Sequence, residues 1–403
     1  MLKISKGWIQ GAVALLALLL LWAFRAEIYS QLEWRLDAAT VSLRCRIRGC
    51  DSLPTPDMII EAYVAPTAQP TLTLPAAPTA TPTPVPLPGE VTLSSPRWEK
   101  QDWNSCGPAT LALALRYYGW NGDQYDIAEV LKPTRGDRNV NLEELVFYIR
   151  TRAGWLDGEY RVAGSVDVLR RFLAAGYPVV VEEGFWIESD GPDEGWAGHY
   201  LLLTGYDDAA QTFISQDTYQ GADRLVTYAG LEEGWQAFNY VYLVVFPVAE
   251  REDVLTLMGS SADEDVNRQT GLDLAQQELE ADPHNAYAWF NLGSNLLYFE
   301  RYEEAAEAYD TALSLGLPWR FLRYQFGPYI TYFQLGRFQE LYDLANATLE
   351  LTTNAEESLL WRGWARYRLD DRTGAIEDFR AALEVNPGYQ DALYALDFIG
   401  VAP

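Results

Sequence analysis

Histidine, cysteine and methionine are almost missing from this chain, with two, three and three residues respectively among 403. So thin a supply leaves little from which to build a zinc or transition-metal centre. Cys45 and Cys50, in CRIRGC, have no histidine and no second cysteine pair beside them, and the sequence calls for neither a metal nor a cofactor. The pair is close enough to form a small-loop disulfide in an oxidising compartment, or to stay as two thiols near a membrane. Cys106 is then left alone, and a lone thiol in such a compartment asks for a reason. Positive charge is also scarce: 30 Lys and Arg face 57 Asp and Glu, a formal charge of −27. By segment, residues 1–50 carry +4, 51–96 carry −4, 97–247 carry −11 and 248–403 carry −16. Beyond the N-terminal stretch there is no Lys/Arg footprint for phosphates, which argues against nucleic acid as a partner. An acidic surface of this kind is first of all a solubility device.

Long apolar runs are absent with one exception. Trp8 to Phe24 is apolar apart from Gln10 and Gly11, and at 1.5 Å per residue it nearly spans the ~30 Å hydrocarbon core of a bilayer. The run is longer than the apolar part of most secretory signals, and no A-x-A site follows before Arg25 and Glu27, so residues 1–25 read as a stub and transmembrane anchor, with a cleaved signal peptide as the alternative. Lys3 and Lys6 favour a cytoplasmic N-terminus, which would place the rest of the chain outside the cytoplasm on a single-pass cell-membrane anchor. Arg25, Arg35, Arg44, Arg46 and Arg48 on the far side count against that orientation. Residues 26–50 form a juxtamembrane segment. Residues 51–96 hold eleven of the 21 prolines among Thr and Ala, and such a stretch reads as a semi-extended tether.

From residue 97 the texture becomes that of a folded domain. PATLALALRYY, NLEELVFYIRTR and SVDVLRRFLAAG have helical spacing, the last opened by Ser165 and closed by Gly176. YPVVVEE, HYLLLTGYD, TFISQD and YVYLVVF are short β-branched or aromatic runs that read as strands. Helices followed by strands predict an α+β domain over 97–248. A polar connector, 249–265, leads to a helical region, 266–403, that repeats. Ala305, Leu341 and Ala375 share offsets with Tyr309, Ala345 and Phe379, and with Ala312, Thr348 and Ala382. Gly293, Gly327 and Gly363 mark the preceding helix of each unit. This resembles the tetratricopeptide pattern, implying an all-α solenoid whose concave face takes a peptide or protein partner. The middle unit departs from it, with Pro328 inside the expected first helix and Leu341 for the usual Ala.

The α+β domain contains one candidate for each role in thiol catalysis. Cys106 lies in QDWNSCGPATLALAL, just ahead of a predicted helix whose positive end would favour the thiolate. Gly107 leaves room for a substrate carbonyl. His199 is the domain's one histidine, His284 belonging to the repeats, and it opens a strand after the loop DGPDEGWAG. Asp217, at the end of the next strand, can hold the imidazole, whereas Asp207 and Asp208 fall in the intervening turn facing water. Gln101 could donate its amide to an oxyanion beside the Cys106 backbone N–H. The loop Glu188–Glu194 reads as solvated; its spacing is not that of an EF-hand calcium loop.

Q-x4-C-G-P-A before a helix, then G-H-Y-L-L-L-T-G-Y-D-D, then an aspartate after the next strand, resembles the C39-like peptidases, the papain-like family that includes the leader-removing peptidases of bacteriocin exporters. The resemblance covers about 97–247. It implies Cys106 as nucleophile, His199 as base, Asp217 as its orienter and Gln101 as oxyanion donor, acting on a peptide or protein substrate. Ser105 stands where an acidic residue is frequent, and Asp217-Thr218 replaces a frequent D-P, so a double-glycine leader is not the expected substrate. A G-x-x-x-x-G-K-[ST] loop is missing, which excludes an exporter. The expectation is therefore a papain-like α+β cysteine peptidase domain, an all-α tetratricopeptide solenoid and an N-terminal transmembrane helix. The rivals are a non-catalytic peptide-binding scaffold, and an acyl-transfer or amidase enzyme on the same fold.

Overall fold

The computed structural model describes Thr40, Leu43, Leu53 and residues 86–134, 136, 139–187 and 195–403. The expected membrane anchor, the Cys45–Cys50 pair and the Glu188–Glu194 loop lie outside these. Among the described residues no helix is long and apolar enough to cross a membrane.

The chain enters the fold earlier than its prolines suggest. Residues 86–96, read as the end of the tether, supply strand β1 (Glu90–Thr92), paired antiparallel with Gly205–Asp207. The Tyr206 hydroxyl donates to the Pro88 carbonyl at 2.7 Å. Leu53 is also buried, its N–H donating to the Leu317 carbonyl at 3.2 Å. Proline excludes a residue from donating to a ladder but not from flanking an edge strand.

The helix α1 (Cys106–Tyr117) follows, then α2 (Gln124–Leu131) and α3 (Leu142–Arg152), each of the latter two opened by a capping box, at Asp123/Asp126 and Asn141/Glu144. Next come β2 (Leu156–Arg161), α4 (Val166–Ala174), β3 (Val179–Ile187), β4 (Gly195–Asp207), β5 (Thr212–Asp217), β6 (Gly221–Thr227), α5 (Tyr228–Trp235) and β7 (Tyr242–Pro247). The seven strands form one sheet in the order β2-β7-β3-β4-β5-β6, with β1 paired to β4. Three of the expected helices and four of the expected strands are present. The pattern missed α2, β2, β6 and α5, because LDGEYR and GADRLVT lack a clean apolar alternation. Their pairing to β7 and β5 supplies what their own residues do not.

Period-two alternation divides the sheet's side chains between two cores. Val180, Tyr200, Leu202, Leu243 and Val245 face α1 and α3, while Val179, Val181, Leu201, Leu203, Tyr242 and Val244 face α4 and α5. The segment read as a polar connector is largely a helix, α6 (Arg251–Met258), whose Val254 and Met258 are buried in the second core. Its apolar positions are too few to stand out in sequence.

The remaining helices are α7 (Glu264–Ala281), α8 (Ala286–Tyr298), α9 (Tyr302–Leu315), α10 (Gly327–Gln334), α11 (Phe338–Leu351), α12 (Glu356–Arg368), α13 (Arg372–Val385) and α14 (Gln390–Phe398). Pro328 is accommodated because α10 starts at Gly327, so the proline occupies the first turn of a short helix. The repeated glycines mark close approach. A Cβ on Gly293 would meet the Tyr309 ring at 2.8 Å, and one on Gly327 the Tyr309 hydroxyl at 2.0 Å. Gly293→Val should therefore lower stability by about 1–3 kcal/mol through overpacking, seen as a lower urea midpoint with an unchanged slope.

The described residues within Asp51–Trp186 and Trp196–Pro403 belong to one compact unit. The peptidase-like and repeat regions share one core, since the cluster that holds Leu113, Tyr200 and Phe238 continues into Phe290, Tyr309 and Phe321, while the last repeats have a further cluster of their own around Phe379.

Candidate active site

Cys106 is the first residue of α1, preceded by Ser105, which makes no side-chain cap. The helix N-terminus is thus left to act on the thiol instead of on a capping oxygen. The approach to it is tightly held. Asn104 takes a left-handed backbone, φ 51°. The buried Lys132 ammonium donates to the carbonyls of Trp103 and Asn104, both at 3.1 Å. Gln124, also buried, accepts from the Asp102 N–H at 2.6 Å and donates to the Lys100 carbonyl at 2.8 Å. Neither support emerged from the sequence, although the Asp123/Asp126 capping box would have placed both at the ends of α2. Gly107 also serves packing: a Cβ there would press on Val140 at 3.3 Å and on Tyr200 at 3.4 Å. The Thr110 hydroxyl ties the same helix to β4, donating to the Tyr200 carbonyl at 3.1 Å.

His199 and Asp217 lie on neighbouring strands, β4 and β5, and both are almost fully buried. His199 Nε2 and Asp217 Oδ1 are 2.9 Å apart. The same Oδ1 accepts the N–H groups of Tyr219 and Gln220 at 2.8 and 2.9 Å, and Oδ2 accepts from Arg224 at 2.7 Å. Trp98 Nε1 donates to the Asp217 carbonyl at 3.0 Å. Phe185 and Tyr219 pack beside the imidazole, with ring centroids 5.2 and 6.3 Å away. The other partner of the imidazole is the Cys106 thiol: the two lie close enough for each to shift the other's ionisation. With Nε2 committed to Asp217, Nδ1 is the nitrogen left for sulfur.

The electrostatics follow from this chain of contacts. Burial pulls the His199 imidazole down, but its bonds to Asp217 and Cys106, and their charges, raise it to about 10. Burial pushes the Cys106 thiol up, but the His199 hydrogen bond and charge, with backbone bonds at Tyr200 and Gly107, leave it below its ordinary value. Burial also acts against Asp217, and the His199 bond and charge with the Gln220 and Tyr219 N–H groups hold it down to about 2. All three shifts favour a thiolate–imidazolium–carboxylate array at neutral pH.

Gln101 joins the site through Thr218. Its N–H donates to the Thr218 carbonyl at 2.9 Å, and the buried Thr218 hydroxyl donates to Gln101 Oε1 at 2.9 Å. Holding the oxygen end of an amide fixes which end can donate. Thr218, which stands where the C39-like pattern often has proline, thereby supplies an orienting bond that proline cannot make. Asp207 and Asp208 are not brought to the site. Asp207 accepts from the turn N–H groups of Ala209 and Ala210 at 2.8 and 3.1 Å. Asp208 is not simply solvated, since it pairs with Arg170 and accepts from Tyr228 at 2.9 Å.

Two carboxyls near the pair were missed in the sequence, Glu182 and Glu183 on β3. Burial and the Cys106 charge push Glu182 well above the usual carboxylate range, and burial raises Glu183 to about 7. A Val-Val-Val-Glu-Glu run gave only strand propensity, not proximity to the thiol. Among the described residues no group of three or more His, Cys, Asp or Glu could hold a metal ion.

Residues 92–243 match the model of the Peptidase_C39 like family, and residues 286–315 and 356–389 match that of the tetratricopeptide repeat. No curated protein matches the chain. Among solved structures, one described as a C39-like peptidase from Bacillus anthracis is 20% identical, covering 39% of this chain and 97% of its own, with a TM-score of 0.32. Xylellain, a cysteine protease from Xylella fastidiosa, is 15% identical, covering 40% of this chain and 87% of its own, with a TM-score of 0.32. YrrB, a tetratricopeptide protein with an unusual peptide-binding site, is 18% identical, covering 37% of this chain and 96% of its own, with a TM-score of 0.20.

Proposed function

For a C39-like peptidase domain followed by tetratricopeptide repeats, we propose a cysteine peptidase in which Cys106, His199 and Asp217 form the catalytic triad. The observation that carries this reading is the buried His199–Asp217 pair, 2.9 Å apart, beside a thiol that His199 lowers while the imidazole is itself raised. The thiolate attacks a peptide carbonyl and forms a C–S bond, while the carbonyl π electrons move to oxygen. The Gln101 amide and the Cys106 N–H stabilise that oxyanion. Collapse breaks the C–N bond as the His199 imidazolium gives its proton to the leaving amine. A water then loses its proton to His199, attacks the thioester and releases the acid, regenerating the thiolate–imidazolium pair.

The enzyme is held outside the cytoplasm on a single-pass anchor, a proposal supported by the Trp8–Phe24 run with Lys3 and Lys6 before it. The repeats bind a peptide or protein partner, supported by the tetratricopeptide match.

Labelling with a thiol-directed peptide electrophile tests the triad. His199→Ala should react at Cys106 about 10²-fold more slowly than wild type near neutral pH, the scale of a lost acid–base partner. Equal rates in the two proteins would remove His199 from the mechanism.

A further inference from the structure

The repeats make a second set of contacts that the peptidase reading does not use. The segment before His199 is packed from outside the peptidase domain. Trp196 on β4 lies 5.2 Å from the Phe321 ring and 5.8 Å from the Tyr324 ring, and stacks on Phe238 at 6.0 Å. Phe321 and Tyr324 belong to the connection between α9 and α10 of the repeats. Gly198 is closed in by the same group: a Cβ there would meet Phe238 Cζ at 2.7 Å and Tyr324 Cδ1 and Cε1 at 3.1 Å. Tyr324 thus covers the residue whose next neighbour is His199. Arg320 adds a bond to the Trp196 carbonyl at 3.4 Å.

The surrounding interface is polar and specific. Asn291 of α8 donates to the Gln236 carbonyl at 2.8 Å, and Gln325 donates to the Ala237 carbonyl at 2.7 Å. Asn239 and Asn295 exchange side-chain bonds at 3.1 and 3.4 Å, and both are buried. Asn267 of α7 pairs with both backbone groups of Val162, at 3.0 and 2.8 Å. Asn267, with both ends of its amide on Val162, and the reciprocal Asn239–Asn295 pair favour a single relative placement, because a slip leaves these buried amides unpaired. The face of α8 turned to the peptidase is therefore already occupied by residues 236–239 of the same chain.

From these contacts we infer that the repeat domain is a structural part of the peptidase site, with Tyr324 as a positioning residue that holds Gly198, and through it His199, against Cys106. This rests on the Cys106–His199 reading above. The thiolate depends on the imidazolium beside it, and displacement of a reacting group by about 1 Å can cost roughly 10²-fold. Loss of the Tyr324 ring would let the Trp196–His199 stretch relax toward the space vacated, weakening the bond that stabilises the thiolate.

The test uses the full chain and follows the pH profile of Cys106 alkylation by iodoacetamide together with the melting temperature. Tyr324→Ala should move the midpoint upward by about one pH unit and slow alkylation at low pH about tenfold. Tyr324→Phe keeps the ring over Gly198 but loses the hydroxyl that interacts with the Gly198 backbone, and should reverse most of the shift seen in Tyr324→Ala. Phe379→Ala, in the core of the last repeats, should lower the melting temperature without moving the midpoint. If Tyr324→Ala does not fold, Tyr324→Leu and Gly198→Ala perturb the same contact and should shift the midpoint in the same direction. An unchanged midpoint in the folded variants would overturn the inference, as would an equal shift in Phe379→Ala. If His199→Ala also leaves the profile unchanged, the triad reading fails first; if His199→Ala shifts it and the Tyr324 variants do not, only the role of the repeats fails.

Discussion

Cys106→Ala should abolish peptide hydrolysis, with kcat/KM falling at least about 10⁴-fold, the loss typical when the nucleophile of a triad is removed. The variant should still fold, because Cys106 is only partly buried and alanine removes a single sulfur atom from a helix start that Thr110, Lys132 and Gln124 hold in place. A fluorogenic peptide assay with circular dichroism as the folding control separates the two effects. Cys106→Ser should be nearly as inactive. A serine hydroxyl keeps its proton in surroundings that ionise a thiol, so the negative charge that His199 is placed to balance never forms. Residual activity near the wild-type level in Cys106→Ala would dismiss the triad altogether.

Asp217→Ala should cost about 10³–10⁴ in kcat/KM, by analogy with the loss of the orienting carboxylate in serine triads. It should also destabilise the fold, by roughly 3–5 kcal/mol if the lost pair behaves as buried pairs generally do. The carboxylate accepts from His199, Tyr219, Gln220 and Arg224 at once, so alanine leaves a buried ring and two turn N–H groups without their acceptor. Asp217→Asn retains an oxygen for His199 Nε2 and should recover part of the activity. Its charge is gone, however, and with it one of the two negative charges that hold the imidazolium at about 10.

The pH consequence has a definite sign. In the wild type the active array exists above the lowered thiol value and disappears as pH rises through about 10, where His199 gives up its proton. In Asp217→Asn the basic limb should move down, narrowing the bell, while the acidic limb moves less. Stability changes on the opposite side. The Asp217 carboxyl titrates at about 2 in the folded chain against ~3.9 for an unfolded one. Its contribution is therefore present above the unfolded value and is lost as pH falls through about 2. Urea titrations between pH 2 and pH 6 should show that loss in wild type and not in Asp217→Ala.

The chemistry of the site and its supports were unequally legible in the sequence. Cys106 ahead of a helix, one histidine opening a strand and an aspartate closing the next are local patterns, and the fold brings all three together. Gln101 was legible only as a possibility; the bond from Thr218 that orients its amide crosses 117 positions of sequence. Lys132, Gln124 and Glu182 gave no local signal of their roles, since a polar residue in a short helix or strand has no period that marks its partner.

The sequence by itself determined the repeats, the nucleophile's helix and four of the seven strands, because apolar spacing and turn residues act over a few residues. Tertiary structure decided where the domains end. The proline-rich tether closes on an edge strand, the polar connector buries Val254 and Met258, and the repeats share a core with the peptidase through Trp196, Phe238 and Phe321. Such contacts are set by the shapes of two surfaces that lie far apart in sequence. No pattern within either segment records them.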